Sequence, residues 1–198
     1  MMVTPLPDFE NYQYQMVAQP HESRLNNTWV KYRETERRFE MYKWAESLND
    51  PSIPKYRIFL NDCISAFLLT YEATFKFLND ELGDQYCKFM ETQELNKNLT
   101  VRGLRTLRIF AAHYKDMPAR SLIVVGGHKR PTTRTWKLSP IAKEEFDRLD
   151  CPKLKEEDIP KWNALADESS IPELLKEGME KMGAILLAAE QYLQNIQP

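Results

Sequence analysis

The residues with the most chemical potential are gathered in one stretch, R-G-L-R-T-L-R-I-F-A-A-H, which sets three arginines and a histidine on one amphipathic helix from Arg102 to His113. Guanidinium groups stay charged and present forked donors that fit phosphate oxygens, and imidazole exchanges a proton near neutral pH. Together they are the parts of a metal-free RNA cleavage: a histidine takes the proton of a ribose 2′-hydroxyl, and an arginine holds the phosphate and stabilises the charge that builds on it. The alternative for His113, near a helix C-terminus, is a purely structural interaction with the last carbonyls and the helix dipole.

The segment from Lys97 to Lys137 carries ten Lys and Arg residues against one acid, Asp116. The whole chain has 27 Lys+Arg and 29 Asp+Glu, a formal net charge of −2, so this segment stands at about +9 and the rest near −11. Such separation suits an anion such as a phosphodiester backbone, bound largely through counterion release. The competing reading pairs these arginines with glutamates elsewhere, leaving a solvated surface. On a regular helix Arg102 and His113 lie roughly 20° apart, Arg105 about 80° from His113 and Arg108 about 140° from it. The R-x4-H pair of Arg108 and His113 therefore does not converge within one straight helix. It can meet where the helix ends near Pro118, or across a two-fold dimer in which each subunit lends residues to a shared cleft.

At 198 residues the chain suits one well-buried core, and its 42% hydrophobic and 28% charged residues fit a packed protein without membrane spans. No apolar run approaches a transmembrane length, and M-M-V-T-P-L-P-D lacks the layout of a signal peptide, so a cytoplasmic location is expected. Cys63, Cys87 and Cys151 are odd in number and widely spaced, against a disulfide framework, and Cys63 reads as core. There is no P-loop, G-x-G-x-x-G, H-E-x-x-H or G-x-S-x-G. Three histidines, His21, His113 and His128, make a multi-histidine metal site hard to build, and neither a cofactor nor a metal is expected. Gly126-Gly127 reads as a turn rather than a phosphate cradle, because no helix opens after it.

The elements that must position these groups follow from periodicity. Residues 1–21 form an N-terminal arm, and 22–198 one helical domain. Leu25, Trp29, Tyr32, Phe39 and Tyr42 predict a first helix, ended by Asn49-Asp50-Pro51. Leu60, Ile64, Phe67, Tyr71, Phe75, Leu78 and Leu82 predict a central core helix closed by Gly83, with a second stripe through Phe59, Cys63 and Leu68. A short helix around 85–94 precedes the basic helix, whose buried face is Leu104, Leu107, Ala111 and Tyr114. A β-hairpin is expected over about 121–138, a helix start at Ser139-Pro140, and short helices and loops across the acidic stretch 143–162. Ser170-Ile171-Pro172 opens a last helix with Leu175, Met179, Met182, Leu186, Ala189, Leu193 and Ile196 on one side. The fold class is mainly α: an antiparallel helical bundle with a small β-hairpin inserted before the last helices.

The segment L-R-T-L-R-I-F-A-A-H, preceded by a long apolar helix and followed by a proline and a short hairpin, resembles the HEPN superfamily of helical domains. The resemblance spans roughly Tyr56 to the C-terminus in architecture, and its specific part is Arg108 with His113. It implies that Arg108 binds the scissile phosphate and His113 transfers the proton. The activity implied is that of a metal-independent endoribonuclease of toxin or phage-defence systems, acting as a homodimer. Ile109 departs from the family pattern, which places Asn, Asp or His there to help orient the arginine, so the resemblance also admits a binding module without catalysis.

Two functions follow. The first is an RNA-binding protein or ribonuclease that uses Arg108 and His113, with Arg102, Arg105, Lys129 and Arg130 as phosphate contacts. The second is a non-enzymatic module whose basic helix and hairpin dock an acidic protein partner.

Overall fold

A four-three spacing of large apolar residues buries one side of a helix, and in the computed structural model the segment with the cleanest spacing is the centre of the fold. The structure describes residues 16–48, 56–113, 119–124, 133–138, 140–149 and 152–196. Helix α2 (Tyr56–Leu82) buries Leu60, Ile64, Phe67, Tyr71, Phe75 and Leu78 almost completely, and Gly83, at φ +53°, ends it in the left-handed region that glycine adopts without strain. Cys63 is also buried, and burial pushes its thiol pKa up to about 11. Phe59 does not share that burial. It is 38% exposed and meets Trp44 edge-on.

Helix α1 (Asn26–Leu48) runs antiparallel to α2, with Thr35 against Thr74, Phe39 against Phe67 and Trp44 against Phe59 along the seam. Its first turn is capped from outside. Glu81 of α2 accepts from the Asn27 and Thr28 N–H groups at 2.9 and 3.0 Å. The buried Glu190 accepts from Arg24 N–H at 3.0 Å, Leu25 N–H at 3.3 Å, Trp29 Nε1 at 2.9 Å and the Ser23 hydroxyl. Two carboxylates thus satisfy the donors that a helix start leaves open and sit at the positive end of its dipole.

Beyond α2 come α3 (Tyr86–Thr92) and α4 (Leu99–His113). Asn98 caps α4 by accepting from Thr100 and Val101 N–H at 2.9 and 3.2 Å. Strands β1 (Ala119–Val124) and β2 (Thr133–Leu138) pair antiparallel, Ala119 opposite Leu138 and Val124 opposite Thr133. Trp136 and Leu138 alternate with Lys137, and both are buried. Lys137 donates to the carbonyls of Asp167 and Glu168 at the end of α6 (Ile159–Glu168), where a cation also complements the helix dipole.

The helix expected to begin at Ser139-Pro140 begins later, as α5 (Lys143–Phe146). Asn163 of α6 holds Ile141 from both sides, accepting from its N–H at 2.8 Å and donating at 3.0 Å to the carbonyl that a helix starting there would turn to a later N–H. Pro160 lies within the first turn of α6, where the missing N–H costs no hydrogen bond.

The last helix, α7 (Ile171–Ile196), opens with a reciprocal cap: Ser170 N–H donates to Glu173 at 2.7 Å and Glu173 N–H to the Ser170 hydroxyl at 3.4 Å. It packs against α1, α2 and α4. Tyr71 donates to Gly178 carbonyl at 3.1 Å and Tyr32 to Met179 carbonyl at 3.3 Å. The helices and β2 share one apolar core, and the fold is a mainly α bundle. Residues Met16 and Val17 of the arm pack on it, and Val17 carbonyl accepts from Arg33 at 2.7 Å. Among the described residues no helix is long and apolar enough to cross a membrane.

Candidate functional site

The basic helix α4 sits among α2, α6 and α7, so most of its circumference is core. Val101, Leu104, Leu107 and Ile109 are buried, together with Thr106, and Ala111 is partly buried. Arg102, Arg105 and Arg108, three residues apart, are the positions left at its margin. Tyr114 lies outside the described residues.

The three arginines differ in how far their charge is already committed. Arg102 Nη1 lies 2.7 Å from Asp158, and that hydrogen bond holds the Asp158 carboxyl below its ordinary pKa. Arg105 makes a bidentate pair with Glu72, Nε to Oε2 at 2.6 Å and Nη2 to Oε1 at 2.9 Å, while its guanidinium carbon stands 4.3 Å from the centre of the Phe75 ring. Burial works against the Arg105 charge, but the hydrogen bonds and charge of Glu72 outweigh it and raise its pKa. Arg102 and Arg105, two of the residues read from the sequence as phosphate contacts, are therefore held by carboxylates of the same chain. Arg108 is different: among the described residues no carboxylate pairs with it.

Arg108 opens onto a groove of about 410 Å³ lined also by Lys76, Arg105, Lys153, Tyr86 and Leu69. Glu72 is its one carboxylate, against four cations. A second groove of about 480 Å³ shares Tyr86, Arg105 and Lys153 and continues to Lys97, Arg102 and Cys87. Burial raises the Tyr86 phenol pKa, so it presents a neutral ring and hydroxyl between the two.

Lys153 is placed there by α4 itself. The buried Thr106 hydroxyl accepts from the N–H groups of Lys153 and Leu154 at 3.0 and 2.9 Å and holds that loop against the helix. Lys153, Lys76 and Glu72 were not legible as site residues. Lys153 sits in an acidic stretch, and Thr106, 47 positions away, holds it at the groove. Glu72 did leave a trace: it is the only acid between Asp62 and Asp80 of a strongly apolar helix, and such a carboxylate needs a cation on the helix packed beside it.

Ile109 is 8% exposed and belongs to the core. Its type is set by packing against that core, so the position next to Arg108 has no polar group to orient the guanidinium. His113 is the last residue of the continuous helix α4, five positions from Arg108, which keeps the two positions about 140° apart around the axis. The His113 side chain lies outside the described residues, as do Lys129 and Arg130. Comparison with protein-family models, curated proteins and solved structures gives no match.

Proposed function

We propose that this chain binds single-stranded RNA along the open margin of α4, with Arg108 and Lys153 as phosphate contacts. The single observation that carries this reading is their shared groove: together with Lys76 it holds three cations without carboxylate partners among the described residues, beside an Arg105 already neutralised by Glu72. Cations free of internal partners can exchange counterions for phosphates without first breaking an ion pair. The resemblance to HEPN domains extends the proposal to metal-independent cleavage in a cytoplasmic toxin or phage-defence setting. In that chemistry His113 takes the 2′-hydroxyl proton, the 2′-oxygen bonds to phosphorus, and the 5′-oxygen leaves with a proton, giving a cyclic phosphate end. Because Arg108 and His113 diverge on one helix, the cleavage version uses a homodimer, each site drawing on both copies.

The test is retention of a labelled single-stranded RNA as a function of salt, with cleavage followed in parallel. Arg108→Ala and Lys153→Ala should each lower the salt slope by about one, and His113→Ala should abolish cleavage while leaving retention intact. Wild-type protein that neither retains nor cuts RNA at low salt would overturn the reading and favour an acidic protein partner for the same face.

A further inference from the structure

Among the described residues helix α2 carries large apolar side chains, Ile58 and Leu69, on an exposed side. Ile58 is 60% exposed and Leu69 45%, and at eleven residues apart they lie within about 20° of one line, which is unusual for large apolar residues on a helix whose other side is the centre of the core. The open side centres on Leu69. Asp62 and Lys76 lie seven residues to either side of it, two helical turns or about 10 Å away, on nearly the same line. Ser65 and Ala73 lie four residues to either side and are small enough for a second helix to approach closely. Asp62 and Lys76 are both exposed, and among the described residues neither has an ion-pair partner.

We infer that this face of α2 binds a second copy of the chain, the two α2 helices crossing antiparallel about a two-fold axis at Leu69. A two-fold through position 69 sets every residue a given number of places before it opposite the residue the same number after it. Leu69 then meets its own symmetry mate, Ser65 faces the partner's Ala73, and Asp62 faces the partner's Lys76, twice over. Charges arranged to complement themselves under one symmetry operation favour another copy of this chain over an unrelated partner. Leu69 and Lys76 also line the groove that holds Arg108, so the axis would bring two such grooves together. In that assembly Lys76 is committed to the interface, and Arg108 and Lys153 stay with the groove.

Sedimentation equilibrium on the full chain at micromolar concentrations tests this. Wild type should dimerise. Asp62→Lys alone, and Lys76→Asp alone, should each weaken dimerisation by about tenfold or more, since either change sets like charges opposite each other twice. An equimolar mixture of the two variants should recover it, because in the mixed dimer each of the two contacts again sets a cation against a carboxylate. Leu69→Glu, on an exposed position, should give a folded monomer with an unchanged circular dichroism spectrum. A monomeric wild type, single variants that dimerise as wild type does, or a mixture that stays monomeric would overturn the inference.

Discussion

At the residue scale, small groups decide where the charged ones go. Gly103 stands between Arg102 and Leu104 because Trp162 lies flat against the helix there: a Cβ at 103 would fall 2.2 Å from two atoms of that ring. Gly103→Ala gains roughly 1 kcal/mol of helix propensity but forces the buried Trp162 to move, and overpacking of this kind costs about 1–3 kcal/mol. A net loss of stability in urea melts is expected, and a stabilised variant would show that Trp162 does not press on α4. Glu36 is 3% exposed, and its Oε1 has no hydrogen-bond partner among the described residues. Burial raises its pKa, in spite of the Arg33 guanidinium 2.7 Å from the other oxygen. Between the ordinary and the raised pKa the folded chain therefore holds more protons than the unfolded one, and stability falls as pH rises through that window. Glu36→Gln removes the slope. The advantage of the variant over wild type should grow between about pH 4 and about pH 7 in denaturant titrations, and an equal difference at both would refute the assignment.

At the scale of elements, helix ends carry the specificity. The start of α1 has a carboxylate from α2 and another from α7, so its first turn is built only when all three helices are docked. Glu190→Ala strands the buried Trp29 indole N–H and the backbone donors of Arg24 and Leu25, and should cost about 3 kcal/mol, with Glu190→Gln retaining part of it. Hydrogen exchange should speed up first in the opening turn of α1, and uniform protection there would contradict a capping role. The α4 arginines follow the same logic across elements: Glu72 of α2 and Asp158 before α6 hold Arg105 and Arg102, which leaves Arg108 as the member of the stripe available to a ligand.

For the whole molecule, one core joins the helices and β2, and Phe67 lies fully buried within it. Phe67→Ala should cost about 3–5 kcal/mol and lower a single cooperative unfolding transition. A loss below roughly 1 kcal/mol would mean that α2 is not its centre. The charge of the chain is divided in the same spirit. A formal −2 conceals a groove with four cations and one carboxylate, so binding to that groove should be salt-dependent in a protein that is weakly acidic overall.

Periodicity and end signals, which depend only on neighbours three or four residues apart, were readable from the sequence. They include the core stripe of α2, its closure at Gly83, the opening of α7 at Ser170 and the bundle class. The candidate site was half legible: the stripe of arginines stood out, but which of them is spoken for did not. Ion pairs such as Arg105 with Glu72, and the reach of Thr106 to Lys153, join residues 33 and 47 positions apart, and no local pattern encodes them. The same holds for the late start of α5, where Asn163 of α6, 22 positions away, engages the Ile141 carbonyl that a helix start at Ser139-Pro140 would use. The sequence by itself determined which segments become helices and which of their sides turn inward, because burial follows helical repeat. Tertiary structure alone decided which charges are neutralised within the chain and which remain for a ligand, because that depends on what each helix is packed against.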